Sequence, residues 1–405
     1  IEKYSSPSKG RGDKGLLNIS RAYCEDKLSN LFMSSCEALG YPRINDYNCN
    51  DNEGVSVLQY TNKNGLRSSL TNTYFKKIRH NKNLYLLSKT SVKELIIKEN
   101  KVLGCCVSDK FNKEVNYYAN YEVIVCGGAI QTPALLQRSG IGDPKMLRDL
   151  GIQCLVDLPN VGKGLKDHAN VRASFTVNSI LTLNNYLSNY LLFSKLIIGY
   201  LIRRRNLLAT PSATSHLLIK STPEIAYPDL KLQLVHMIES QRFGVGKNTK
   251  LSKNSGFSIG VSYIFPESSG SVKIKSKDYT VPPLIQANYL SKTHDQNKTI
   301  DAINLARRIV SKSPLKDYVE QEVKPGVRKK SQEDLLNFAK ENCQSGYHFS
   351  CSCRMGTKES SVVDDKFKVY GVDRLRLCDA SVLPFLTSSN IQGIVMVLAE
   401  KAASE

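Results

Sequence analysis

The stretch YEVIVCGGAIQTPALLQRSGIG, residues 121–142, limits the choice of fold more than any other part of the chain. Val123 to Cys126 form a short, fully apolar run of the kind that makes a strand buried on both faces. Two glycines follow, then Thr132 as a candidate N-cap with Pro133 at the first helical position, and Gly140 as the stop. A buried strand, a glycine turn and a helix N-terminus make the local geometry that holds anionic groups in α/β folds. The far end of the chain repeats the pattern. In DRLRLCDASVLP, Leu375 and Leu377 alternate into Cys378; the loop FLTSS then leads into NIQGIVMVLAEKAAS, a helix with a mostly apolar surface. Two such units, at 121–140 and 373–403, predict one sheet-based domain that encloses a second, antiparallel domain.

The intervening sequence supplies that second domain. Leu28, Leu31, Phe32, Cys36 and Leu39 fall at helical spacing within 22–39, and Gly40 then Pro42 stop the helix. NLYLLSKTSVKELIIKENKVLGCCVSDKF predicts strands with a tight turn near Glu99-Asn100. FSIGVSYIFPESSGSVKIKS alternates like an antiparallel sheet, residues 295–311 are an amphipathic helix, and Ser331 with Asp334 is a capping box. Residues 176–205 contain an apolar segment too short, and too often interrupted by Asn189 and Lys195, to span a membrane. A helix packed on the protein is the expectation; a basic-flanked helix in peripheral contact with a membrane surface is the alternative. The fold class is α/β, or α+β overall.

A length of 405 residues fits two domains or one interleaved unit. The net charge of +19 raises nucleic-acid or anionic-membrane binding as functions. The basic residues are scattered, and no RNP-type aromatic pattern, zinc finger or basic-plus-heptad segment accompanies them, which argues against nucleic acid. Eleven cysteines form no framework, and Cys126 and Cys378 sit inside apolar runs, as reduced thiols do in cores. That points to a reducing compartment, the cytoplasm, with membrane association left open. The chain begins at Ile1 in a polar stretch, so the natural start is expected upstream and a targeting peptide cannot be judged.

GYHFSCSCRMG, residues 346–356, sets one of only six histidines beside three sulfur-bearing side chains. A structural zinc wants four Cys/His ligands, usually in spaced pairs, and the chain has no CxxC or HxxxH. No metal is expected. A cysteine nucleophile needs a base and an oxyanion donor, and nothing singles out either thiol. From these residues alone, a nucleophilic cysteine and a purely structural His348 both stay open.

Longer motifs add a resemblance. GAIQTPALLQRSGIG (Gly128–Gly142) resembles the second signature of the glucose–methanol–choline (GMC) flavin oxidoreductases, with its small-x-x-Ser/Thr-Pro core and closing Ser-Gly-aliphatic-Gly. NVGKGLKDH (160–168) is similar to the family's Asn-Val-Gly-x-Asn-Leu-x-Asp-His, and TNKNGLRSSLTNTYF (61–75) to its Asn-Gly-x-Arg-x-Ser segment. The end of the chain, from VDDKFKVYGVDRLRLCDASVLP to SSNIQGIVMVLAEKAA, is similar to the family's C-terminus almost throughout. The resemblance runs in order through nearly all 405 residues and points to the choline-dehydrogenase-like branch.

That resemblance implies a partial FAD-binding, Rossmann-like domain interleaved with an antiparallel-sheet substrate domain. Residues 1–80 would be a mixed N-terminal part, 81–165 an FAD-binding segment, 166–360 the substrate-binding domain and 361–405 the C-terminal FAD-binding segment. The implied activity is FAD-dependent oxidation of an alcohol to an aldehyde or ketone. His348 stands where the family has its active-site base, and Asn390 where it has a second His or an Asn facing the first across the flavin. An imidazole near neutrality suits removal of the hydroxyl proton, and a carboxamide donor holds the oxygen where charge develops. By the same resemblance Asp379, Ala380 and Gln392 lie along FAD, and Val92 meets its adenine end through the backbone. The last helix would begin near Ser389 to Ile391, with its positive end toward the flavin's pyrimidine edge.

The sequence departs from the family in places. Phe349 replaces a proline, Cys351 a glycine and Gly164 an asparagine; if the glycine serves a positive φ, Cys351 is strained. A Gly-x-Gly-x-x-Gly fingerprint that follows a buried strand and opens a helix is missing: GRGDKG (10–15) has the spacing but lies in a Gly/Ser/Lys-rich stretch that reads as loop, and VGKGLKDH fails the spacing. The chain is therefore expected to be a fragment that alone binds FAD weakly or folds poorly. The expected partners are a small-molecule alcohol, and a quinone or oxygen as electron acceptor. With no tryptophan and no acid in NLLATPSATSHLLIKS, the stretch resembling the substrate wall, an uncharged alcohol is favoured over choline. The competing readings are a cyanohydrin-type lyase on the same scaffold and a truncated relative that binds a ligand or surface.

Overall fold

The computed structural model describes residues 1–6, 10–22, 26–49, 52–238, 252 and 254–405. In chain order the principal elements begin with α1 (Lys27–Glu37), β1 (Gly54–Val57), β2 (Ser91–Lys98), β3 (Lys101–Ser108), β4 (Glu114–Tyr118), β5 (Val123–Val125) and α2 (Gly128–Arg138). They continue with β6 (Ala169–Val177), α3 (Tyr190–Arg203), β7 (Ala213–Ile219), β8 (Leu230–Val235), β9 (Gly256–Tyr263) and α4 (Thr293–Val310). β10 (Val319–Lys324), α5 (Gln332–Asn342), β11 (Leu375–Leu377) and α6 (Gln392–Ser404) complete them. The chain passes three times through each of two units. The first holds Ile1–Leu84, Asn170–Ile264 and Thr293–Gln344; the second holds Tyr85–Ala169, Phe265–Lys292 and Ser345–Glu405.

The first unit is built on an antiparallel sheet in the order β10-β6-β9-β8-β7-β1. Side chains alternate across a strand, so register decides what each face carries. Val171, Ala173 and Phe175 of β6 oppose Val261, Ile259 and Phe257 of β9, and Val261 and Ile259 in turn oppose Leu232 and Leu234 of β8. α1 and α4 pack on this sheet and bury Phe32, Ile303 and Ile309, each contributing about 1.5–3 kcal/mol of hydrophobic stabilisation. The Asp26 carboxylate caps α1 by accepting from the Ser29 backbone N–H at 2.7 Å, so the helix starts at Lys27. Residues 23–25 of the helix expected over 22–39 lie outside the described residues. Ser331 and Asp334 close the expected capping box on α5.

The second unit combines an antiparallel meander, β2-β3-β4, with the parallel pair β5 and β11. Glu99 and Asn100, at φ 51° and 56°, make the β2–β3 turn where the sequence places it. β2, however, starts only at Ser91: Leu84, Tyr85, Leu86 and Leu87 are exposed and unpaired in any strand. The expected union of the two strand-to-helix units is present, with Val123, Ile124 and Val125 in register beside Leu375, Arg376 and Leu377. Their core gathers Leu95, Val102, Leu136, Phe367, Leu375 and Leu377.

Two local expectations are corrected. α2 begins at Gly128, not Thr132, and Pro133 lies inside it. A proline there leaves the carbonyl of Ala129 without its helical N–H; the Ser352 hydroxyl donates to that oxygen at 2.6 Å instead. α3 is not packed on the protein along its length. Only Leu196 is buried, whereas Leu191, Ile198, Leu201 and Ile202 are exposed. Among the described residues no helix is long and apolar enough to cross a membrane.

Candidate active site

The second unit brings two extended segments side by side, Leu165–His168 and Gly346–Ser350. Lys166 and Ser350 exchange both backbone hydrogen bonds, at 3.0 and 2.9 Å, as an antiparallel pair. Two residues further along, this register sets His168 opposite His348, where cross-strand side chains meet. Their Nδ1 atoms are 2.8 Å apart, with ring planes at 84°. The Gly346 N–H also donates to the His168 carbonyl at 2.8 Å. A Cβ at 346 would stand 2.9 Å from that oxygen and 3.2 Å from His348 Nδ1, so the approach of the two segments requires a glycine here.

Asp167 fixes the loop from below. Its Oδ1 accepts the His348 backbone N–H at 2.8 Å; its Oδ2 accepts the Ser345 hydroxyl at 2.6 Å and the Tyr289 hydroxyl. Burial pushes this carboxyl above the usual range, and the donors from Ser345, Tyr289 and the His348 backbone oppose that shift by favouring the charged form. His168, Asp167, Tyr289 and Ser345 received no role in the sequence reading. For Asp167 and His168 the signal was the Asp-His pair that closes NVGKGLKDH; Tyr289 and Ser345 left none.

The thiols of GYHFSCSCRMG point into the core. Cys351 and Cys353 are buried, and burial pushes both thiols up, so neither is poised as a thiolate. Among the described residues no group of three or more His, Cys, Asp or Glu is arranged to hold a metal. The backbone of this stretch is stitched to the segment after β11: the N–H groups of Cys351, Cys353 and Met355 donate to the carbonyls of Ala380, Ser381 and Val382. Phe349 packs against the cluster of Ala129, Leu165 and Val272. Gly164, at φ 75°, occupies a region that asparagine also tolerates, so the Asn-to-Gly departure keeps the turn.

The residues fit FAD at the carboxyl ends of β5 and β11, where ligands bind in α/β sheets. Of the helices that follow the two strands, α6 starts without a side-chain cap, so its positive end remains available to an electron-rich group, whereas the first N–H of α2 is taken by a carboxylate. Gly128, at φ 77°, has no atom within 4 Å of where a Cβ would sit, leaving room for a group against the backbone. Asp379 ties the two turns together: its Oδ2 accepts from the Gly128 N–H at 2.9 Å and the Thr132 hydroxyl at 2.6 Å, and its Oδ1 from the Ser381 N–H at 2.7 Å. Ala380 is buried beside it, while Asn390 and Gln392 are exposed at the start of α6. Thr387 has a buried hydroxyl oxygen without a partner in the loop leading there. Val92 stands half-exposed on β2, paired with Val107.

The first unit carries a polar sheet face. Ser56, His216, Gln233, Gly260 and Arg172 succeed one another across β1, β7, β8, β9 and β6, with Lys231 and Ser262 beside them. His216 is buried with both ring nitrogens unpartnered, and burial, with Lys231 adding to it, holds its pKa well below the usual histidine value. Burial also pushes Lys231 down to about 8. Among the described residues, no Asp or Glu interrupts the run from Ser56 to Arg172.

A parallel strand pair in which each strand leads through a turn into a helix, on a chain that also builds an antiparallel sheet unit, fits a flavoprotein oxidoreductase. Profiles of the family described as GMC oxidoreductase match residues 12–170 and 266–399, and the chain belongs to that family. It is an FAD-dependent alcohol oxidoreductase of this type. The oxygen-dependent choline dehydrogenase of Staphylococcus saprophyticus is 33% identical over 97% of this chain and 69% of that protein. The enzyme of that name from Vibrio vulnificus is 32% identical over 92% and 66%. Among solved structures, pyridoxine 4-oxidase from Mesorbium loti superposes with a TM-score of 0.85 at 25% identity, over 100% of this chain and 74% of that one. Aspergillus oryzae formate oxidase shares the fold, with a TM-score of 0.88 at 23% identity over 100% and 75%.

Proposed function

We propose that the protein oxidises an uncharged alcohol to its aldehyde or ketone, with His348 as the base and Asn390 as the group that orients the oxygen. The observation that carries this reading is the fixed setting of His348, whose backbone is held by buried Asp167 and whose ring is held by His168. A preset imidazole removes a hydroxyl proton without first ordering itself. The exposed Asn390 amide at the start of α6 donates to the substrate oxygen as negative charge grows there. FAD, when bound, supplies the acceptor for the hydride that leaves the carbinol carbon. Asp379, Ala380 and Gln392 would hold it at the strand ends, and Val92 at its adenine end. Oxygen or a quinone would then take the electrons.

The stretch that resembles the family's substrate wall, NLLATPSATSHLLIKS, supports a neutral substrate. A quaternary ammonium wants aromatic faces and a carboxylate, and this stretch has no Phe, Tyr or Trp and no acid. The exposed apolar stripe of α3, with Lys195 on the same face and the Arg203–Arg205 run at its C-terminal end, supports a peripheral contact with an anionic membrane surface.

Anaerobic mixing of the FAD-loaded protein with a primary aliphatic alcohol should bleach the flavin absorbance. His348→Ala should slow that bleaching by about 10²- to 10⁴-fold, the range for a general base. Cleavage of a cyanohydrin to its carbonyl compound and cyanide, with no bleaching by any alcohol, would instead favour a lyase.

A further inference from the structure

We propose that His168 is a positioning residue for the alcohol oxidation: its Nδ1 accepts the Nδ1–H of His348 and so holds that ring in the tautomer whose Nε2 is unprotonated. The inference rests on the reading of His348 as the base. With the two Nδ1 atoms 2.8 Å apart, one carries the shared proton and the other presents a lone pair. A neutral imidazole has a single N–H. If His168 were the donor, His348 would keep its own proton on Nε2, and neither nitrogen could take another. A base at residue 348 therefore requires His168 to be the acceptor.

The surroundings are built for this contact. His168 is only 4% exposed, and the Lys166–Ser350 register places it across from residue 348. Asp167 anchors the backbone N–H of His348, and Gly346 admits the close approach. In the reaction, the substrate O–H bond breaks as an N–H bond forms at His348 Nε2. The carbinol C–H bond breaks with its electron pair leaving as hydride to FAD, and the carbonyl forms. His348 then carries two N–H groups and a positive charge, and its bond to His168 becomes charge-assisted and stronger. The stabilisation thus grows as the reaction proceeds, which is what accelerates a step rather than merely tightening binding.

Histidine-selective ¹⁵N NMR of the full chain reads the tautomer without reference to turnover, and six histidines keep the spectrum sparse. The neutral His348 should show a protonated Nδ1 and a bare Nε2. His168→Leu should abolish that preference, while His168→Gln, whose side-chain carbonyl accepts the same N–H, should keep it. In the FAD-loaded enzyme, His168→Leu should lower kcat roughly 10- to 100-fold, as loss of the group that orients an imidazole does elsewhere. KM should move little, and His168→Gln should recover most of the loss. A proton on Nε2 of the unsubstituted chain, or an unchanged tautomer in folded His168→Leu, would overturn the proposal. If the leucine variant fails to fold, the spectra of the unsubstituted chain and of His168→Gln still decide. A His348→Ala variant that retains kcat would remove the base assignment, whereas an unchanged tautomer and kcat in folded His168→Leu would overturn this proposal alone.

Discussion

Cys351 sits at φ 67° with 2% of its surface exposed, in the left-handed region that costs an L-residue about 1–2 kcal/mol. The sequence signals this position, because a cysteine stands where the related motif has glycine, but only the backbone shows that the glycine's freedom is needed. Glycine at 351 relieves the strain and loses buried contacts, two effects of similar size. A β-branched side chain gains nothing and deepens the clash. Cys351→Val should therefore be less stable than Cys351→Gly by about 2 kcal/mol; equal denaturation midpoints would contradict that. His348 was legible as the candidate base from its motif. His168 was not, because residues 168 and 348 meet only through a backbone register that neither segment encodes alone.

Among the elements, β5 with α2 and β11 with α6 were legible because a buried run, a turn and an apolar helix each leave a local mark. The start of α2 was misread for an instructive reason. Thr132 and Pro133 look like a cap and a first helical residue, yet Thr132 bonds Asp379 and Ser352 serves the carbonyl that Pro133 leaves open. Both partners lie more than two hundred residues away. α3 shows the converse: its sequence is apolar enough to suggest packing, but the fold leaves Leu191, Ile198, Leu201 and Ile202 exposed next to a basic run. Sedimentation with vesicles containing phosphatidylserine should capture the protein more strongly than neutral vesicles do. Leu191→Ser with Ile198→Ser and Ile202→Ser should weaken capture about tenfold or more, since each substitution removes a buried apolar side chain from the lipid. Equal capture by neutral vesicles, or by the triple variant, would remove the membrane contact.

For the whole molecule, the net charge of +19 acts on any charged substrate before it reaches a site. A neutral aliphatic alcohol should therefore show a higher kcat/KM than choline. Raising ionic strength to about 0.15 M should improve choline turnover by screening repulsion while leaving the neutral alcohol unchanged. A clear choline preference, insensitive to salt, would reverse the substrate reading. The amino-acid order alone determined the class of fold and the two strand-to-helix units, because periodicity and turns are local properties, and only its resemblance to a family's motifs singled out His348 as the candidate base. The tertiary structure alone decided which side chains face one another: the imidazole pair on Asp167, the carboxylate of Asp379 across two turns, and the polar face gathered from five strands. Those depend on register between distant segments, where a shift of one residue would turn each of these side chains to the opposite face.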